Sequence, residues 1–248
     1  MTAGSGFLLS ESPEGRADLA IAIPPVNALG VGDLEDLAAR LGEVRTSRVL
    51  VVRGLARAFS AGVSVSDHEP EPASIDRMLA AMRRVLSALL EMPAATVASV
   101  SGACLGGGAE IVAACDLVVA AEDARIGFPE IRLACFPPGA TVLLPARIGE
   151  ARAIEWILTG RTVSGREAAQ AGFASRAVPP ALLDREVDRL VAELLRKSPA
   201  ALSAARGVLR AERSEALTRA LPRAEDAYRT LARDPALSRA VRDFGKRR

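Results

Sequence analysis

Short strand-like runs rich in apolar residues, separated by helix-like stretches, restrict this chain to few architectures. RVLVVRG (48–54), TVASVSG (96–102) and DLVVAA (116–121) are runs of this kind. A strand apolar on both sides must be covered on both sides, as parallel strands flanked by helices are. Between the first two runs, ASIDRMLAAMRRVLSALLEM (73–92) has amphipathic helical spacing, with Pro93 just beyond it. GAEIVAAC (108–115) reads as a helix between the second and third. Upstream, DLAIAI (18–23) is strand-like and closed by Pro24 and Pro25, and GDLEDLAARLGEV (32–44) sets Leu34, Leu37 and Leu41 on one helical side. Strands alternating with helices predict an α/β fold with right-handed crossovers.

The pattern changes near residue 145. EARAIEWILTG (150–160) and GREAAQAG (165–172) read as helices, ASRAV (174–178) as a brief strand, and everything after Pro180 as helical. SPAALSAARGVLRAE (198–212) opens with a Ser cap and Pro at the first helical position. No linker or repeat separates these parts. The expected division is a core over 1–190 and a helical region over 191–248, docked on the core or on a neighbouring subunit.

Composition narrows the function. Aromatics are 3% of the 248 residues, too few for the stacking platforms of single-stranded nucleic-acid binding. The net charge of +2 does not suggest a nucleic-acid or membrane partner. Arg83–Arg84 and the tail Lys246, Arg247, Arg248 are read as solvated faces or a frayed end. Cys104, Cys115 and Cys135 form no C-x-x-C pair, so neither a zinc site nor a disulfide framework is expected; they read as buried thiols. MTAGSGFLLS lacks the basic-then-apolar order of a signal peptide, and no apolar run approaches membrane-spanning length. The expectation is a soluble cytoplasmic protein without a metal site.

The chemistry concentrates where a strand meets GACLGGGAEI (102–111). Consecutive glycines let a backbone turn sharply or approach a partner closely. A helix starting there offers unpaired N–H groups to an anion. The spacing fits neither the Walker loop, since no Lys follows, nor the dinucleotide fingerprint. A second small-residue turn, Ala61–Gly62–Val63, lies in ARAFSAGVSV (56–65). A third stretch, ARIGFPEIRLACFPPGA (124–140), carries Glu130 with no evident structural need for an acid. Two loop backbones and two carboxylates, Glu110 and Glu130, thus follow consecutive strands, where open α/β folds place ligands.

These stretches, with VNAL (26–29), CDLVVAAEDARIGFPEI (115–131) and ILTGRTVSGREAAQAGFAS (157–175), resemble in order the enoyl-CoA hydratase/isomerase (crotonase) superfamily. The resemblance implies a spiral of ββα units with a helical C-terminal region, assembled as a homotrimer or dimer of trimers. It implies an acyl-CoA substrate whose thioester oxygen sits between the N–H groups of Val63 and Gly107. Ala61, Val63 and Val65 match the stretch beside the CoA adenine. Glu110 and Glu130 match the two catalytic acids of the hydratases, with coenzyme A belonging to the substrate and no separate cofactor. Hydration builds negative charge on the thioester oxygen, and one such N–H donor is worth roughly 3–4 kcal/mol. Both carboxyls would share one water and titrate as a coupled pair.

The chain departs from the commonest hydratase pattern at Ser64, where Asp is frequent, and in CFPPGATVLLP (135–145), where Pro138 replaces a typical Gly. That proline is expected to stiffen a loop beside the acyl pocket. GVSVSDH and CFPPGA look like the cyclohexa-1,5-dienecarbonyl-CoA hydratase subgroup, making a cyclic dienoyl thioester a lead. The single histidine, His68, is read as a surface or pocket-rim residue, and Arg57 as a solvated or phosphate-side cation. Hydration, or its reverse, is the first reading. A double-bond isomerase, an inactive scaffold or RNA-binding relative, and a nucleotide-binding α/β protein are the alternatives.

Overall fold

The computed structural model describes residues 6–55, 57–65 and 71–245, with the side chains of 244 and 245 excluded. Its first half is four ββα turns, each begun by a strand of one sheet and continued by a shorter strand outside it. A hairpin strand β1 (Phe7–Glu11) precedes the first turn, formed by β2 (Arg16–Ile21), β3 (Ala28–Leu29) and α1 (Val31–Glu43). The second is β4 (Val49–Gly54), β5 (Ala58–Ser60), the two-residue β6 (Gly62–Val63) and α2 (Pro72–Glu91). The third is β7 (Ala95–Val100), β8 (Ala103–Leu105) and α3 (Gly107–Ala114). The fourth is β9 (Leu117–Ala121), β10 (Arg125–Gly127) and, after a 3-10 turn at Pro129–Leu133, α4 (Pro138–Ile148). Next come α5 (Glu150–Thr159), β11 (Thr162–Ser164), α6 (Gly165–Gln170), β12 (Arg176–Val178), α7 (Leu183–Leu195), α8 (Pro199–Leu231) and α9 (Pro235–Gly245).

The leading strands form a six-stranded sheet in the order β1-β2-β4-β7-β9-β12, parallel except at β1–β2. The following strands form a second sheet, β11-β10-β8-β5, while β3 pairs with β6. This is the α/β spiral of ββα units that the resemblance implied. Val49, Leu50, Val51 and Val52 are all buried, which explains the unbroken hydrophobic run of β4. Leu34, Leu37 and Leu41 are the buried face of α1. The strand read at 18–23 is shifted to Arg16–Ile21, because its pairing with β4 begins at Arg16 and ends before the two prolines.

One expectation needs correcting. Pro138 does not stiffen a loop: Pro137 is the N-cap of α4 and Pro138 its first residue. Proline suits that position, where its missing N–H has no intrahelical acceptor and its fixed φ is already helical. The stretch 135–145 therefore aims a helix N-terminus into the protein.

At the other end, α8 is fastened to α2 and α4 of its own chain. Arg210, almost fully buried, pairs with Asp116 and donates to the carbonyls of Leu90 (3.1 Å) and Met92 (2.9 Å). Arg213 donates to the Ala113 carbonyl at 2.6 Å, and Arg147 to that of Cys115 at 2.7 Å. Carbonyls at the ends of α2 and α3 have lost their helical donors, and the helix dipole there favours cations. No helix among the described residues is long and apolar enough to cross a membrane.

Candidate active site

The GGG stretch is explained by three different neighbours. Gly106, at φ +53°, turns β8 into α3, and a Cβ there would stand 2.7 Å from Glu130 Oε1. A Cβ on Gly107 would meet Met82 Cε and Val63 Cγ2, each at 2.8 Å, and would lie 3.4 Å from the Val63 nitrogen. Gly108 faces Ser60, whose Cβ would be 2.7 Å away. The glycines thus let a carboxylate and a second loop approach one helix N-terminus. Gly107 is the first residue of α3, so its N–H has no acceptor within the helix.

The second loop is held from behind. Asn27, buried and at φ +54°, accepts from the Ile23 N–H and donates to the carbonyls of Ala58 (2.8 Å) and Phe59 (3.1 Å). The buried Ser60 hydroxyl donates to the Asn27 carbonyl at 2.7 Å and accepts from the Gly62 N–H at 3.0 Å. A Cβ on Gly62 would be 2.7 Å from the Leu105 carbonyl oxygen and 3.3 Å from the Gly107 nitrogen. The Val63 and Gly107 amides therefore belong to two backbones in direct contact.

The acids lie beside them. Glu110, in the first turn of α3, is 3% exposed, and its Oε1 accepts the Ala140 N–H at 2.8 Å. Burial pushes its pKa up to about 7, against the lowering effect of the Ala140 and Gly139 N–H groups. Because Pro138 donates nothing, the acid uses the first free amides of α4. Glu130, in the turn Pro129–Leu133, is 9% exposed, and its Oε2 has no hydrogen-bond partner among the described residues. Burial first, and the charge of Glu110 second, hold its pKa well above the carboxylate range. Two buried acids, one raised further by the charge of the other, are arranged to lose their protons one after the other.

A cavity of about 250 Å³ joins these parts: Ala61, Val63, Val65, Gly107, Glu110 and Glu130 all line it. The structure thus brings all six sequence-selected residues together. Arg57 is exposed, whereas His68, with Ser66 and Asp67, lies outside the described residues, as does the tail 246–248. The sequence reading missed the other half of the wall, which α2, Phe136 and α8 supply through Met82, Leu86, Leu221 and Tyr228. The apolar face of α2 was visible as helical periodicity, but nothing local separates a cavity wall from ordinary core. Arg83 and Arg84 are both exposed, as expected of a solvated pair, but Arg83 also lines the cavity and binds the buried Glu225, whereas Arg84 reaches Glu35.

Fold and site together define a ββα-spiral protein with two loop amides and two buried carboxyls around one cavity. The sequence model of the enoyl-CoA hydratase/isomerase family matches residues 11–244, and the chain belongs to that family. It is 36% identical to a probable enoyl-CoA hydratase of Bacillus subtilis over 194 residues, 75% of each chain. It is 34% identical to the cyclohexa-1,5-dienecarbonyl-CoA hydratase of Thauera aromatica over 158 residues, 62% of this chain and 60% of that one. Among solved structures, an enoyl-CoA hydratase from Mycobacterium avium subsp. paratuberculosis superposes with a TM-score of 0.89 at 26% identity, covering 98% of this chain and 97% of the other.

Proposed function

We propose that the protein is an enoyl-CoA hydratase, adding water across the double bond of an α,β-unsaturated acyl-CoA or removing it in reverse. The observation that carries the reading is the pair of buried carboxyls, Glu110 and Glu130, in the cavity that Val63 and Gly107 also line. The thioester oxygen accepts from the Val63 and Gly107 N–H groups, and CoA passes over Ala61 and Val65. As water adds at the β-carbon, electron density moves onto that oxygen. Two preset donors, one at a helix N-terminus, stabilise the enolate-like state without reorganising.

The proton inventory follows from the surroundings of each acid. Glu110, whose Oε1 accepts a backbone N–H, carries the charge; Glu130, whose Oε2 has no partner among the described residues and whose pKa the Glu110 charge raises, keeps the proton. Glu110 takes a proton from the water as its oxygen bonds to the β-carbon, and Glu130 delivers one to the α-carbon. Return of the water's proton from Glu110 to Glu130 then restores both acids, so the cycle calls on no separate cofactor.

Hydration is favoured over double-bond isomerisation because isomerisation needs no second acid to handle water. A cyclic dienoyl thioester is the first acyl group to try, given the Thauera relative. The test supplies an enoyl-CoA in heavy-oxygen water: label in a hydroxyacyl-CoA supports hydration, and unlabelled, isomerised enoyl-CoA overturns it.

A further inference from the structure

We infer that the Arg83–Glu225 ion pair ends the acyl chamber and restricts the substrate to short or compact, uncharged acyl groups. The inference rests on the acyl-CoA reading above. With the thioester at Val63 and Gly107 and CoA over Ala61 and Val65, the acyl group must extend toward the remaining wall. That wall is a seam between α2 and α8. On α2, Leu79, Arg83 and Leu86 follow at intervals of four and three residues; on α8, Leu221, Glu225 and Tyr228 do the same. Facing residues at this spacing form two opposed helix stripes.

The seam is clamped by charge. Glu225 is 1% exposed and accepts two bonds from the Arg83 guanidinium, one from Nε at 2.8 Å and one from Nη2. Such a two-point pair fixes the separation of its helices more tightly than apolar contacts do. A long linear chain would have to displace the Arg83 side chain, which is 45% exposed, and leave the buried Glu225 carboxylate without that partner, an unfavourable exchange. Nor does the pair offer a cradle for an acyl group with a terminal carboxylate. Arg83 is already engaged, and Arg229, 3.8 Å from Glu225, is held by Asp76 and Asp226. Neither guanidinium is left without an acid of its own to receive a second anion.

The test measures binding of three unreactive saturated thioesters, butanoyl-, decanoyl- and adipoyl-CoA, by calorimetry. The wild type is expected to bind butanoyl-CoA at least tenfold more tightly than either of the others. The single variant Arg83→Met strands the Glu225 carboxylate and can fail to fold, so the decisive variant is Arg83→Met/Glu225→Gln, which keeps the bulk and removes both charges. It should narrow the butanoyl-to-decanoyl ratio at least tenfold. Equal wild-type affinity for butanoyl- and decanoyl-CoA, preferred binding of adipoyl-CoA, or an unchanged ratio in the double variant overturns the inference alone. Failure of the wild type to bind any of the three overturns the acyl-CoA reading, and this inference with it.

Discussion

At Gly107 a single added methyl group would enter space held by Met82 Cε and Val63 Cγ2. Both are side-chain ends, so the fold can yield, but the N–H beside them would move from the place proposed for it at the thioester. Gly107→Ala is expected to keep its circular dichroism spectrum and lose 10²–10³-fold in kcat, the scale of removing one oxyanion donor. An effect confined to KM would argue against that role. Glu130→Gln should lower kcat by 10²–10⁴, as loss of a positioned acid does. The raised carboxyls also make stability depend on pH. Below about pH 4.5 Glu110 is protonated whether folded or unfolded and contributes nothing. Between 4.5 and about 7 the unfolded chain gives up the proton while the folded one keeps it, so stability falls as pH rises; above 7 the loss is complete. Urea titrations of wild type and Glu110→Gln should therefore diverge across that window, the variant gaining roughly 1–3 kcal/mol at pH 8 relative to pH 4.5. In kinetics, kcat/KM should rise as the pair loses its first proton near pH 7 and fall when it loses the second.

Among the elements, α8 is the one whose attachment is most exposed to a single change. Asp116 carries the ion pairs of Arg206 and Arg210 and accepts the Thr96 N–H at 2.8 Å. Asp116→Asn would leave a nearly buried Arg210 without its counter-charge, which should cost about 3–5 kcal/mol of stability in chemical unfolding. A change below 1 kcal/mol would mean the carbonyls alone hold the helix. How much of this could be read in advance depended on range. α1, α2 and β4 were legible because their hydrophobic period is local. The second strands, β8 and β10, are three residues each and too short for any period to show. α4 was hidden because Pro137, Pro138 and Gly139 look like breakers, although the first helical turn accepts proline. The two small-residue turns and the two carboxyls that line the cavity with them were legible through their motifs. The Arg83–Glu225 pair joins residues 142 apart, and nothing near either one announces the other.

For the whole molecule, we propose that the 191–248 region contributes to a homotrimer or a dimer of trimers, as the family resemblance implied. Val208 and Leu209, adjacent on α8 and about three-quarters exposed, are apolar surface of the kind an assembly covers. Native mass spectrometry should give a mass of three or six chains; a stable monomer would contradict it. The site drawn from four ββα turns has a more direct test. A crystal structure with a saturated acyl-CoA should put the thioester oxygen about 2.7–3.1 Å from both the Val63 and Gly107 nitrogens, with Glu110 and Glu130 flanking the α- and β-carbons. A thioester bound away from those two amides, or with either acid turned from the acyl carbons, would contradict the account.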